Sequence, residues 1–113
     1  MSIAFLNSLA NYAGSQITHI GLLNPSGVEL ASFYYARAPV AWASAIGGIV
    51  RPTANLDFVI VPGDEVRYWA GFSAATGGTP SPQVAVTLFV PTSLYIYRLQ
   101  PASTGIGCTI AGG

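Results

Sequence analysis

Glycine and proline divide this chain into short apolar segments. Thirteen Gly and eight Pro occur among its 113 residues. They recur at intervals of roughly 8 to 12 residues between β-branched and aromatic runs, which is typical of antiparallel sandwiches and barrels. A chain of this length forms one domain with its own core. The spacing therefore predicts an all-β fold, an antiparallel β-sandwich or jelly-roll-like domain over residues 15–101.

The two ends of the chain differ from this pattern. Residues 1–14 predict one short N-terminal helix, with Ser2 as its N-cap and Gly14 as its C-cap. Its apolar positions recur at helical spacing and are Ile3, Leu6, Leu9, Ala10 and Ala13. The helix can dock on the domain or act as an arm that reaches a neighbour, and the sequence leaves both open. Residues 102–113 form a Gly-rich tail without charged or aromatic side chains.

Turn residues predict two hairpins. Asn55–Val61 and Val66–Ser73 are expected to pair across Pro62-Gly63-Asp64, and this hairpin is expected to be the centre of the fold. Gln83–Val90 and Leu94–Gln100 are expected to form a last hairpin. Each pair of strands is therefore predicted to lie side by side in one sheet.

The strand after Pro62-Gly63-Asp64 has two different faces. By the two-residue period of a strand, one face carries Val66, Tyr68, Ala70 and Phe72. Arg67 and Trp69 lie on the opposite face. We expect the first set to fill the core, which leaves Arg67 and Trp69 pointing outward.

Charged side chains are scarce in this sequence. Four Arg and four acidic residues are the only charges, Lys is absent, the formal net charge is zero, and 51% of the residues are hydrophobic. About 25% of the residues of an ordinary domain are charged, and Lys is among the residues most depleted from protein interfaces. The composition therefore predicts an outer surface that is largely covered by other copies or by a larger assembly.

A membrane is the competing explanation for so apolar a chain. A spanning helix needs about 20 continuous apolar residues, and every apolar run here is interrupted within roughly ten. Ser2–Ala13 lacks the basic start and apolar centre of a signal peptide. We therefore expect the protein to be made in a cytosol-like compartment.

The sequence contains few groups with which to do chemistry. His19 is the only histidine and Cys108 the only cysteine, so neither a zinc cluster nor an internal disulfide is expected. No base stands near the Ser and Thr residues to activate them. Four Arg balanced by four acids give no basic surface for nucleic acid. We predict a protein that is not an enzyme and binds no metal, cofactor or nucleic acid.

Aromatic and Arg residues are the candidate contact residues. Trp, Tyr and Arg dominate the residues that contribute most to binding at protein interfaces. The candidates in this chain are Tyr34, Tyr35, Arg37, Trp42, Arg51, Arg67, Trp69, Tyr95 and Tyr97. Tyr95 and Tyr97 share one strand face, where paired Tyr rings can also stack on sugars, so a carbohydrate-binding module stays an alternative.

The region from Leu6 to Thr79 resembles a known family. Its runs ITHIGLLNPSGVEL, YARAPVAW and GGIVRPTANLDFVIVPGDEVRYWAGFSAATGGT are similar to small β-rich virion proteins of tailed bacteriophages that infect actinobacteria. Members of that family are minor structural proteins of the head or tail. The resemblance implies a virion role, and it supplies no catalytic residues. Residues after Thr79 do not follow the family pattern.

Composition and resemblance together lead to one functional expectation. We expect a capsid decoration (cement) protein on the exterior of the virion, which binds over the junctions of the major capsid protein and stabilises the shell. Its partners would be the major capsid protein and sister copies, with a trimer favoured by the symmetry of capsid junctions. The alternatives are a minor tail or fibre protein and a sugar-binding module that recognises the host envelope.

Overall fold

Strands are the main regular structure of the chain. The computed structural model describes residues 3–78, 80–81, 83–101 and 104–107. Its elements are α1 (Ile3–Ser15), β1 (His19–Leu23), β2 (Ala38–Pro39), β3 (Ile49–Val50), β4 (Leu56–Ile60), β5 (Val66–Phe72), β6 (Val84–Phe89), β7 (Tyr95–Leu99) and β8 (Ile106–Gly107). The prediction of a mostly β chain with antiparallel sheets and one N-terminal helix is confirmed.

The described strands form three antiparallel sheets. One sheet has four strands in the order β2-β1-β5-β6, and the other two are the pairs β3-β8 and β4-β7. In the part of the chain that the structure describes, these sheets do not close on one another. The edge strands of the large sheet are therefore β2 and β6, and both strands of the β3-β8 and β4-β7 pairs are edge strands.

Both predicted hairpins are wrong in their pairing. β4 and β5 follow each other across the predicted turn, where Gly63 has a φ of 102°. However, β4 pairs with β7, and β5 pairs with β1 and β6. β6 and β7 likewise lie in different sheets. Turn residues favour a chain reversal, but they do not select the strand with which the returning chain pairs.

One core joins the four-stranded sheet to the β4-β7 pair. Its buried residues are Ile20, Leu22, Leu30, Ala38, Leu56, Phe58, Ile60, Val66, Trp69 and Leu99. Burial of one large apolar side chain stabilises a fold by about 1.5–3 kcal/mol. Because both connections change sheet, β4 and β5 contribute to this core from different sheets instead of lying side by side.

Helix α1 packs on the segment that contains β3. Ala10 and Gly14 are its buried residues. A Cβ atom on Gly14 would lie 3.2 Å from Val50 Cγ2 and 3.4 Å from Trp42 Cγ, so glycine permits this close approach. Gly14 lies within the helix, so its prediction as the C-cap is wrong. Ser2, the predicted N-cap, lies outside the described residues.

The buried face of α1 is small and polar rather than strongly apolar. The side-chain oxygens of Asn7 and Asn11 accept hydrogen bonds from the backbone N–H groups of Gly48 (2.7 Å) and Ala45 (2.8 Å). Leu9, which the helical spacing placed on the packing face, is 40% exposed. The helix is thus oriented by two backbone hydrogen bonds that the apolar pattern does not encode.

The C-terminal region contributes a strand. β8 pairs with β3, so Ile106–Gly107 of the predicted 102–113 tail belongs to a sheet. Thr104, just before β8, is fully buried. Cys108 and the residues after it lie outside the described part of the chain.

Candidate functional site

The nine candidate contact residues differ in exposure. Tyr34, Arg51 and Tyr95 are exposed, Trp69 is buried, and the other five are half-buried. The half-buried residues are Tyr35, Arg37, Trp42, Arg67 and Tyr97. The structure therefore divides the candidates into residues that are at least half-buried within the chain and residues that are exposed at its surface.

Trp69 is a core residue, so its predicted outward orientation is wrong. Its side chain is only 2% exposed and belongs to the main core. The strict alternation of β5 fails between Val66 and Trp69, because both residues contribute to the main core. The pairing of β5 with β6 shifts register at the same place: Val66 pairs with Phe89 and Tyr68 with Ala85, so β6 has additional residues there.

The face opposite Trp69 carries a second buried cluster. It consists of Leu23, Ala70 and Phe72, with Tyr68 packed against it. The set Tyr68, Ala70 and Phe72 was predicted to share one core with Val66, but Val66 belongs to the main core. Ala70 and Phe72 are buried as predicted, in the second cluster, so both faces of this strand are covered from Tyr68 onward.

Arg67 interacts within its own sheet. Its guanidinium donates a hydrogen bond to the backbone carbonyl of Val86, on the bulged strand β6. Its Cζ also lies 5.5 Å from the centroid of the Tyr68 ring. The half-buried side chain therefore fills the irregularity between β5 and β6 instead of facing a partner.

Trp42 anchors the end of helix α1. Its indole Nε1–H donates to the carbonyl of Ile17, 2.9 Å away. Its ring packs against the cluster of Ala10, Ala45 and Val50. Trp42 therefore makes these contacts within the chain, where its ring completes the small cluster under helix α1.

Tyr35, Glu29 and Arg37 form an internal polar network. Arg37 binds the Glu29 carboxylate with two hydrogen bonds, from Nε and from NH2, each 2.8 Å long. The Tyr35 hydroxyl donates to the same carboxylate at 2.6 Å and accepts the backbone N–H of Leu22 at 3.0 Å. The Tyr35 ring stacks on Phe58 of the core, with centroids 6.3 Å apart.

Arg37 also holds the loop after β5. Its NH1 group donates to the carbonyls of Ala74 (2.9 Å) and Gly77 (2.7 Å). Its Cζ lies 3.5 Å from the centroid of the Phe72 ring, which is a close cation–π contact. Only 9% of the Arg37 side chain is exposed. One arginine thus connects the 29–37 segment, β5 and the 73–78 loop.

The pKa values in this network follow from its geometry. Burial raises the pKa of Glu29, but the hydrogen bonds from Arg37 and Tyr35 and the positive charge of Arg37 outweigh it, so the pKa lies below 4.5. Burial and the hydrogen bond to Glu29 raise the pKa of Tyr35 above its ordinary range. The network therefore contains an ionised carboxylate and a neutral phenol at neutral pH.

Phe33 and Tyr34 are presented outward by this network. The side chain of Phe33 is 93% exposed and that of Tyr34 is 60% exposed. Their rings contact edge to face, with centroids 5.1 Å apart. We call these two residues the turn-tip pair. They follow each other in the turn that Tyr35 and Arg37 anchor from its C-terminal side.

The N-terminal side of the turn is anchored as well. The Ser32 hydroxyl donates to Asp64 Oδ2 at 2.8 Å, and the same oxygen accepts the backbone N–H of Val61 at 3.0 Å. The backbone N–H of Tyr35 donates to the carbonyl of Ser32 at 3.1 Å and closes the turn. The turn-tip pair is therefore held on both sides by buried or half-buried groups.

A second group of exposed apolar side chains lies along β6, the 90–94 connection and β7. The side chains are between 41% and 62% exposed and are Val84, Leu88, Val90, Leu94, Tyr95 and Ile96. We call these six residues the open seam, because β6 and β7 are both edge strands. Phe89 links the two strands, with its ring centroid 4.6 Å from Tyr95 and 5.7 Å from Tyr97.

Tyr95 and Tyr97 do not form an open pair of stacking platforms. Both rings contact Phe89, and Tyr97 packs against the main core. Burial, followed by the proximity of Tyr95, raises the pKa of Tyr97. The Tyr95 and Tyr97 rings, which motivated the sugar-binding alternative, are therefore already in contact with Phe89 of the same chain.

All four arginines donate hydrogen bonds within the chain. Arg37 and Arg67 do so as described, Arg51 donates to the carbonyl of Pro101 at 3.4 Å, and Arg98 binds Asp57 at 2.7 Å. Arg37, Arg51 and Arg67 were predicted as contact residues of a partner. Their guanidinium groups also connect segments of this chain, and Arg51 is exposed as well.

Two residues of the site were missed by sequence reasoning. Glu29, the acceptor at the centre of the network, is eight positions from Arg37 across an irregular segment, and no local pattern marks the pair. Phe33 was not selected as a contact residue, although the run Phe33-Tyr34-Tyr35 stood out in the sequence. Three successive aromatics in a turn cannot all be buried, and this was the available signal.

The acidic and histidine side chains of the described residues do not form a cluster. Within the described ranges, no three His, Cys, Asp or Glu side chains come together as a metal site. His19 is half-buried at the start of β1, where its Nδ1 lies 2.8 Å from Thr18 Oγ1. The helix that the structure describes is too short to cross a membrane.

Comparisons of this chain with protein-family models, curated proteins and solved structures gave no match. The resemblance of residues 6–79 to phage virion proteins therefore rests on the sequence runs quoted above.

Proposed function

We propose that this chain is a non-enzymatic structural protein of a bacteriophage virion, a capsid decoration protein that binds over the junctions of the major capsid protein. The observation that carries the proposal is the turn-tip pair, two exposed aromatic rings on a chain with no Lys and no net charge. The resemblance of residues 6–79 to virion proteins supports the same role. In this proposal the four-stranded sheet and the β4-β7 pair are the two layers of a β-sandwich.

The physical basis is contact area on a preorganised surface. An exposed aromatic ring that is already held in one position loses little conformational entropy when it is buried by a partner. The anchors at Ser32, Tyr35 and Arg37 hold the turn in this way. A protein that binds the assembled shell, and does not bind loose subunits, stabilises the shell by mass action.

The turn-tip pair is tested by substitution. We expect Phe33→Ala to weaken attachment to expanded shells by at least about 2 kcal/mol, the scale of a central aromatic contact, while the melting temperature stays close to that of the wild type. Tyr12→Ala is the matched control, because Tyr12 is also a largely exposed aromatic (65%) but lies outside the turn, on helix α1. Binding is measured by co-sedimentation of purified protein with shells.

Two results would contradict the proposal. One is equal attachment of Phe33→Ala and the wild type. The other is the copy number: a decoration protein is present in hundreds of copies per particle, as measured by quantified gels of purified virions, whereas a handful of copies identifies a minor tail or fibre protein.

A further inference from the structure

Strand β7 offers a regular and unpaired edge. It pairs with β4 over five consecutive residues without a register shift, from Leu56↔Leu99 to Ile60↔Tyr95. Among the described residues no strand pairs with its other edge. A two-stranded sheet is the smallest possible sheet, and sheets of three or more strands are markedly more stable. The edge of β7 is therefore one of the two edges at which this sheet can be extended.

Natural edge strands are usually protected, and β7 has little protection. Charged side chains, Lys above all, and bulges commonly prevent edge-to-edge pairing. β6 has such a bulge, which Arg67 fills, so its edge is irregular. From Gln83 to Tyr97 the sequence contains no charged residue. The single charge on β7 is Arg98, which Asp57 of β4 neutralises at 2.7 Å.

The edge of β7 is bordered by exposed apolar side chains. Leu94, Tyr95 and Ile96 are 62%, 45% and 51% exposed, and Tyr95 and Ile96 lie on opposite faces of β7. Extension of the sheet along this edge therefore covers apolar surface on both of its faces. Because this stretch has no charge, it is matched by another neutral apolar edge.

The edge of β7 is also complementary to itself. If two β7 strands pair in antiparallel fashion about a two-fold axis at Tyr97, Tyr97 lies opposite its own copy. Tyr95 then lies opposite Leu99, and Ile96 opposite Arg98, because the paired positions add to the same sum. The two Arg98 side chains are not directly opposite, and aromatic and aliphatic cross-strand pairs stabilise a sheet.

We propose that a second copy of this chain binds along the free edge of β7, by antiparallel pairing of β7 with its two-fold copy. The two β4-β7 pairs then form one four-stranded sheet in the order β4-β7-β7-β4. The inference goes beyond the proposed virion role and does not rest on it. A two-fold contact of this kind gives a dimer, whereas the symmetry of capsid junctions favours a trimer.

The mass of the isolated protein is the first test. We expect sedimentation equilibrium at about 100 µM, far above the dissociation constant of a micromolar dimer, to give twice the 11.7 kDa of one chain. Ile96→Lys places a charge on the edge strand and is expected to weaken the dimer at least about tenfold. Ile46→Lys is the matched control, because Ile46 is 82% exposed outside the seam.

Backbone hydrogen exchange of the wild type is the second test, and it needs no variant. Dilution to the monomer is expected to accelerate exchange at Tyr95–Leu99, while exchange in β1 stays unchanged. The inference is overturned by a monomer or trimer at about 100 µM, by a dimer that folded Ile96→Lys retains, or by a dimer whose dissociation leaves exchange at Tyr95–Leu99 unaltered. None of these results bears on shell attachment, which the Phe33→Ala variant reports.

Discussion

The role of Trp69 in the structure differs from the role that its position in the sequence predicts. The two-residue period placed it opposite Val66 and Tyr68, and a Trp beside an Arg was expected at a contact surface. The alternation of β5 fails where its pairing with β6 shifts register, and Trp69 is part of the main core at 2% exposure. Its contribution is therefore to folding rather than to binding.

This assignment predicts a large loss of stability on truncation. Trp69→Ala removes the largest side chain of the main core, and we expect the free energy of unfolding to fall by about 3–5 kcal/mol. Urea denaturation of the isolated protein measures the change. Tyr34→Ala, which truncates an exposed ring, is the control and should change stability by less than about 0.5 kcal/mol. Equal stability of the two variants would show that Trp69 is not a core residue.

Glu29 gives stability a defined dependence on pH. Its pKa in the folded protein lies below the ordinary 4.5, because the hydrogen bonds and charge of Arg37, with the bond from Tyr35, outweigh the effect of burial. A lowered pKa contributes stability above the unfolded value, and this contribution is lost as pH falls through the folded value.

We therefore expect the melting temperature to fall between about pH 5 and about pH 3, and to fall less steeply in Glu29→Gln. The variant is also expected to be less stable at pH 7, because Arg37 loses its carboxylate. Glu65→Gln, at an exposed position outside the network, is the control and should follow the wild-type curve. Parallel curves for Glu29→Gln and the wild type would contradict the role of the network.

At the level of elements, the connections determine the topology. The 61–65 and 90–94 connections each carry the chain from one sheet to another, so β4 meets β7 and β5 meets β6. Asp64 stabilises the first of these connections by accepting hydrogen bonds from Val61 and Ser32. The same turn residues would also suit a hairpin, so only the sheets reveal the difference.

Engineered cysteines test this pairing directly. Val59 and Ile96 are directly opposite in the β4-β7 register, within the Cα spacing that a disulfide spans. In a Cys108→Ser background, Val59→Cys/Ile96→Cys is expected to cross-link on oxidation. Val59→Cys/Tyr68→Cys, which a β4-β5 hairpin would bring together, should remain reduced. Mass spectrometry after non-reducing digestion detects the bond, and the reverse result would restore the hairpin.

At the level of the whole molecule, the few charges are used internally. Arg37 pairs with Glu29 and Arg98 with Asp57, while Arg51 and Arg67 donate to backbone carbonyls. The exposed large side chains of the turn-tip pair and the open seam are uncharged. A partner that binds either surface therefore gains little from electrostatic attraction.

The expected consequence is binding that salt hardly affects. Between about 50 mM and 500 mM NaCl, charge–charge attraction across an interface is strongly screened, and apolar contacts are not. We expect attachment of the wild-type protein to shells to change by less than about twofold over this range. Co-sedimentation at each salt concentration measures it, and a loss of tenfold or more would show that charged groups form the contact.

The sequence by itself determined the class of the chain. The spacing of Gly and Pro predicted short antiparallel strands after one N-terminal helix, because turn chemistry and strand alternation are local properties. The scarcity of charge pointed to exposed apolar surface, which the structure contains at Phe33, Tyr34 and the open seam. The aromatic run near position 34 was also visible, although the sequence did not separate the exposed rings from the buried one.

Only the tertiary structure decided which strands pair and which candidate residues are exposed. Strand pairing depends on contacts between residues distant in sequence, such as Phe58 with Tyr97, and local turns do not encode them. The burial of Trp69 likewise occurs next to a register shift between two strands, which the local pattern does not encode. The Glu29–Arg37 pair likewise forms because the fold brings the two side chains together, and burial then makes their hydrogen bonds stronger than in water.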